Sequence, residues 1–114
     1  MQTQLRPVVK IQLYGEEKCF GPGIAELLTR VEKLRSLRAA AQSMDMAYSK
    51  AWTTVRKCEA ALGFRLLDYT SGGRGGGGAS LTAEGADILR RYNAYCEALR
   101  AESERLFTEH FGTN

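Results

Sequence analysis

The sequence holds little of what an enzyme, a secreted protein or a membrane protein needs. Histidine occurs once, at His110, with no cluster of cysteines or carboxylates at metal-ligand spacing around it. A lone histidine near the terminus reads as a surface residue, and no Ser–His–Asp or Cys–His arrangement can be assembled on it. Catalytic residues, metal ligands and cofactors are therefore expected to be none. The three cysteines, Cys19, Cys58 and Cys96, are odd in number, widely spaced and without a CxxC pair. That pattern argues against a disulfide framework and for a reducing compartment. Cys58 is expected in the core, Cys19 and Cys96 as ordinary thiols. No apolar run approaches the length that crosses a bilayer, and the opening Met1-Gln2-Thr3-Gln4-Leu5-Arg6-Pro7 lacks the apolar stretch of a signal peptide. The expectation is a cytoplasmic protein, associated with the nucleoid if it binds DNA, with no membrane partner.

What is present suits one small globular domain. A chain of 114 residues and 12.6 kDa has room for one core but none for a separate effector domain. Its 44% hydrophobic and 25% charged residues argue against a disordered polymer. Charge is uneven: residues 1–83 carry 12 Lys and Arg against 7 Asp and Glu, residues 84–114 carry 4 against 6. A basic body with an acidic tail is compatible with nucleic-acid binding.

Val8 to Tyr14 alternates apolar Val9, Ile11 and Leu13 with polar Lys10 and Gln12, which predicts a half-buried strand. Gly15-Glu16-Glu17 then reads as a turn and Lys18-Cys19-Phe20 as a returning strand. Pro22 suits a helix first turn. From Gly23 to Leu34, Ile24, Leu27, Leu28, Val31 and Leu34 follow helical spacing. A second helix, Leu37 to Met44, is built largely of Ala39, Ala40 and Ala41, whose small side chains allow close approach. A third runs from Ala47 to Leu62 and stops at Gly63. Strand-like Arg65–Tyr69 and Ala79–Leu81 flank a glycine-rich loop, and Thr82 can cap a long last helix reaching about Phe111. This order predicts a mainly α fold with small β, a winged helix-turn-helix. The expected parts of this one domain are an N-terminal β-hairpin (1–20), the winged core (21–82) and a long C-terminal helix (83–114).

Stepping roughly 100° per residue from Val55 places Ala51, Trp52, Cys58 and Leu62 on the inner face of the third helix. Lys50, Thr53 and Lys57 fall opposite, flanked by Ser49, Thr54 and Arg56, with no acidic residue among the six. Such a stripe is usually the solvated face of an amphipathic helix. A short Ala-rich helix before it and a wing after it favour base and phosphate contacts instead. Tyr48 falls on the inner side, but in the first turn, where a side chain can splay towards DNA.

The loop Gly72-Gly73-Arg74-Gly75-Gly76-Gly77-Gly78 contains a formal GxGxxG. No βαβ unit surrounds it and no Lys-Ser/Thr follows, so neither dinucleotide binding nor a Walker loop is read from it. As a wing tip, its glycines add no Cβ bulk, letting Arg74, Gly75 and Gly76 approach a phosphate ridge or minor groove. On the last helix, Ile88, Tyr92, Tyr95, Leu99 and Leu106 recur at three- and four-residue steps, interrupted at Glu102. About half of this stripe can pack on the helix-turn-helix; a helix this long overhangs so small a body, and a second copy is the simplest partner for the rest.

The segment Ala39 to Trp52 resembles the helix-turn-helix of ModE-type molybdate-responsive regulators. Thr70 to Gly85, with its Gly-Gly-Arg-Gly-Gly-Gly-Gly run followed by Leu81-Thr82, resembles their wing and the start of their last helix. Phe20-Gly21-Pro22-Gly23 is similar to the start of single-domain members. Arg38-Ala39-Ala40 and Leu62-Gly63 are similar to the LysR-type DNA-binding domain. The resemblance implies a bacterial regulator that dimerises on a pseudo-palindromic site of double-stranded DNA. Tyr48, Ser49, Lys50 and Thr53 would take the recognition role, and Arg74 with its glycines the wing role. It also implies a molybdate-binding domain in full-length members, which this chain lacks, so molybdate binding is not carried over. Three positions depart from the pattern: Asp45 for the usual turn glycine, Ala47 for the usual serine cap, and Leu34-Arg35 where a glycine often precedes Ser36. Two other readings keep the fold: a protein-interaction module, which needs Lys50 and Lys57 salt-bridged within the protein, and RNA binding through Arg74, weakened by the lack of an aromatic sheet platform.

Overall fold

Among the described residues, four helices and two antiparallel hairpins follow one another in the expected order. The computed structural model describes residues 4–71 and 77–112. Its elements are β1 (Leu13–Tyr14), β2 (Lys18–Phe20), α1 (Pro22–Leu34), α2 (Leu37–Ser43), α3 (Tyr48–Leu62), β3 (Leu67–Thr70), β4 (Gly78–Leu81) and α4 (Ala83–Phe111). Helices α1 to α3 pack as the helix-turn-helix, β3 and β4 form the wing, and α4 returns across α1. This is a winged helix-turn-helix with a long C-terminal helix.

The apolar periodicity of α1 places Leu27, Leu28 and Val31 at the centre of the core. Ala40 and Ala41 of α2 and Ala51 and Val55 of α3 meet them with no exposure at all. At these crossings any larger side chain would hold the helices apart. Each fully buried leucine contributes about 2 kcal/mol of transfer free energy.

The opening segment is only partly a strand. Burial alternates as expected, with residues 9, 11 and 13 half-buried and 8, 10, 12 and 14 exposed. Only Leu13 and Tyr14 pair with β2, however. Upstream residues lie along α4, where the Ile11 carbonyl accepts from the Tyr92 hydroxyl at 2.7 Å. The alternation therefore reports packing against a helix instead of a ladder.

Among the described residues, two other than glycine have positive φ, Arg35 at 62° and Asp45 at 53°. Arg35 ends α1 in the left-handed region, held by its N–H to the Val31 carbonyl and by its own carbonyl, which accepts from Ala79 at 3.0 Å. Asp45 makes the turn into α3, a conformation Asp adopts more readily than most residues.

The helix starts differ in a testable way. Ser36 caps α2, accepting from the Ala39 N–H, and Thr82 caps α4, accepting from the Gly85 N–H. Ala47 caps α3 with no side-chain hydrogen bond, although its backbone is already extended, at φ −63° and ψ 142°. Ala47→Ser is expected to stabilise the fold by about 1 kcal/mol, read as a rise of roughly 4 °C in Tm.

Residues Gly85, Leu89, Tyr92 and Cys96 form the buried stripe of α4. Beyond Cys96 no residue of the helix is buried, and the molecule is 57 Å along its longest axis.

Candidate nucleic-acid interface

Helix α3 presents Ser49, Lys50, Thr53, Arg56 and Lys57 to solvent, with Thr54 half-buried. Lys50 and Lys57 make no ion pair among the described residues, where every salt bridge uses an arginine. Two uncompensated ammonium groups and the Thr53 hydroxyl thus share one accessible face. The Thr54 hydroxyl donates to the Lys50 carbonyl at 2.8 Å and keeps acceptor capacity.

Arg56 is less free. It meets Glu59 at 3.4 Å and sits 5.6 Å from the Trp52 ring centroid. Tyr48 is half-buried against the core, and the Arg38 guanidinium stacks over its ring at 4.2 Å. Together they bring Arg38, a cation the sequence reading left aside, to the N-terminal end of α3. Arg74, Gly75 and Gly76 lie outside the described residues.

Two expectations need correction. Trp52, assigned to the inner face, is 44% exposed. It lies near 60° from Val55, at the margin of the buried arc, where an indole is too large for the space that Ala51 fills. Tyr92, assigned to the dimer stripe, is 5% exposed and belongs to its own core. Its ring packs edge-on against Phe20 at 5.0 Å, and its hydroxyl is taken by Ile11. Ile88 also packs against the core, whereas Tyr95 is 52% exposed, Leu106 exposed and Leu99 half-exposed.

The residue that sequence reasoning missed is Glu59. It falls about 40° from Val55, inside the apolar arc, and that placement of a charge was the available signal. Its carboxylate, 7% exposed, accepts from the N–H groups of Leu66 at 2.7 Å and Leu67 at 3.3 Å. The Leu66 carbonyl in turn accepts from the Thr82 N–H at 2.9 Å. Helix α3, the wing and α4 are therefore joined through the backbone of one residue. Glu59 sets where the wing stands relative to the lysine face.

A domain-family model described as "Bacterial regulatory helix-turn-helix protein, lysR family" matches residues 25–86, from α1 into the start of α4. Among curated proteins, the chain is 28% identical over 94 residues to the DNA-binding transcriptional dual regulator ModE of Escherichia coli K12, covering 82% of this chain and 34% of that one. It is 34% identical over 84 residues to the molybdenum transport protein ModE of Azotobacter vinelandii (70% and 31%). The molybdenum-pterin-binding protein MopB of Rhodobacter capsulatus is 32% identical over 68 residues (60% and 25%). The chain spans a quarter to a third of the length of these relatives. With more than half of its residues inside the family model, and with the fold that this model describes, the chain belongs to the bacterial regulatory helix-turn-helix proteins of the LysR family.

Proposed function

We propose that this protein is a transcriptional regulator that binds double-stranded DNA, with α3 in the major groove and the wing on flanking backbone or minor groove. The observation that carries the reading is that, among the described residues, Lys50 and Lys57 have no ion-pair partner beside Thr53 on an exposed helix face. A protein-interaction module would need those lysines neutralised within the molecule. Family membership and the regulatory name of the Escherichia coli relative support the DNA reading. No helix among the described residues is long and apolar enough to cross a membrane.

The working unit is a homodimer. An apolar groove of about 420 Å3 runs between the segment around Val9 and Ile11 and the distal half of α4, with Leu99, Leu106, Phe107 and Phe111 along it. A second copy laid along this groove would cover Leu106, and two copies of α3 entering successive major grooves would have to stand about 34 Å apart, one turn of B-DNA.

Titration with a mixed-sequence duplex at rising salt tests the proposal. Affinity should fall steeply, and Lys57→Ala should flatten the log–log slope by about one for each Lys57 that meets a phosphate. Binding that ignores salt, or no binding to any duplex at low salt, would overturn it.

A further inference from the structure

Cys58 lies on the inner side of α3 and Cys19 on β2, 39 positions apart in the chain. The Cys58 thiol donates to the Cys19 carbonyl oxygen at 2.8 Å, and both thiols are free. A carbonyl oxygen sits about 2.4 Å from its own Cα. The Cys58 sulfur is therefore within roughly 5 Å of the Cys19 Cα, where a disulfide needs only a small backbone adjustment. Both cysteines line a cavity of about 370 Å3 between β2 and α3, whose walls also include Lys18, Lys50, Thr54 and Lys57. Small solutes thus have a route to the pair.

We propose that Cys19 and Cys58 are a redox pair that a peroxide converts to a reversible disulfide, clasping β2 to the recognition helix and weakening its hold on DNA. The effect on DNA rests on the function proposed above; the bond itself does not. Burial pushes the Cys58 thiol up to about 12, and the adjacent Cys19 thiol adds to the rise, so Cys58 stays protonated at neutral pH. The half-buried Cys19 is then the first to react. Its sulfur attacks one peroxide oxygen, the O–O bond breaks, and the leaving hydroxide takes the Cys19 thiol proton to depart as water, giving a sulfenic acid on Cys19. The Cys58 sulfur displaces the second hydroxide as the S–S bond forms, and its proton leaves with that oxygen as water. Two thiols lose two electrons and two protons, and one hydrogen peroxide becomes two waters.

The clasp acts where reading occurs. Residues 50, 54 and 58 form one row of α3, a turn apart, and Lys57 adjoins it. Forming the bond breaks the thiol–carbonyl hydrogen bond and draws this row towards β2. Lys50, Thr54 and Lys57 then no longer present the spacing of the reduced form.

The full-length chain treated with hydrogen peroxide, alkylated and digested decides the matter. Expected are loss of two hydrogens, a peptide joining Cys19 to Cys58, and Cys96 still alkylated. Tm should rise by about 10 °C, reversibly with dithiothreitol, and affinity for a mixed-sequence duplex should fall about tenfold. Cys19→Ser should abolish these changes, and Cys96→Ser should leave them intact. Alkylation of both Cys19 and Cys58 after oxidation, bridging through Cys96 instead, or equal affinity of the two forms would overturn the proposal. If the reduced protein binds no duplex, the DNA reading fails, and the peptide map still decides the disulfide.

Discussion

Glu59→Ala is expected to lower the stability of the fold by about 3 kcal/mol, measured as a drop in the urea midpoint at unchanged slope. The substitution removes a carboxylate on which two backbone N–H groups depend, those of Leu66 and Leu67. Leu66 and Leu67 are fully buried, and an amide left without an acceptor costs about 1–3 kcal/mol. Relief of the carboxylate's own desolvation offsets part of the sum. Arg56, half-exposed and 3.4 Å away, adds little because solvent screens it. Glu59→Gln separates the two contributions: its amide oxygen still accepts both bonds, so the loss should shrink to about 1 kcal/mol. A result in which alanine and glutamine variants are equally stable would show that charge, not acceptor geometry, holds the wing root.

Gly85→Ala is the second large effect, and its sign is the test. In an ordinary helix interior the change would stabilise by about 1 kcal/mol, since alanine is the better helix former. Here a Cβ would lie 2.4 Å from the Leu66 carbonyl oxygen and 3.1 Å from the Leu66 carbonyl carbon and Cα. These are backbone atoms already fixed by Glu59 and Thr82, so they cannot yield as a flexible side chain could. The variant should lose about 3 kcal/mol or more. Gly23→Ala on α1, where nothing lies within 4 Å, is the matched control and should be neutral to slightly stabilising. Comparable destabilisation at both sites would remove close approach as the cause.

Much of this architecture was legible in the sequence because helical spacing is dense in α1, α3 and α4. Pro22, Gly63 and Thr82 marked their ends through chemistry local to those residues. The lysine face followed from angle alone. What escaped depends on contacts made far along the chain. The alternation from Val8 to Tyr14 cannot say whether its partner is a strand or a helix, and here α4 supplies most of it. Tyr92 fits either a dimer seam or its own core, and only the position of Phe20 decides. Glu59 carried a readable anomaly, a charge within an apolar arc, but its partners lie seven and eight residues on, at the entry to β3, and helical spacing says nothing of that contact. The departures at Arg35 and Asp45 proved informative: the backbone keeps the left-handed turn that glycine usually supplies, now held by hydrogen bonds from neighbouring elements.

Helix α4 is seated on the body through Gly85, Leu89, Tyr92 and Cys96, while the 15 residues after Cys96 run on with none of them buried. The helix is then a lever whose fulcrum lies at Cys96, about halfway along it. Its free arm spans about 22 Å, so a swing of about 2 Å at the tip corresponds to a tilt of only roughly 5° at the fulcrum. Jostling at the far end therefore arrives at the body as a slight rotation, shared among the buried residues of the seated half.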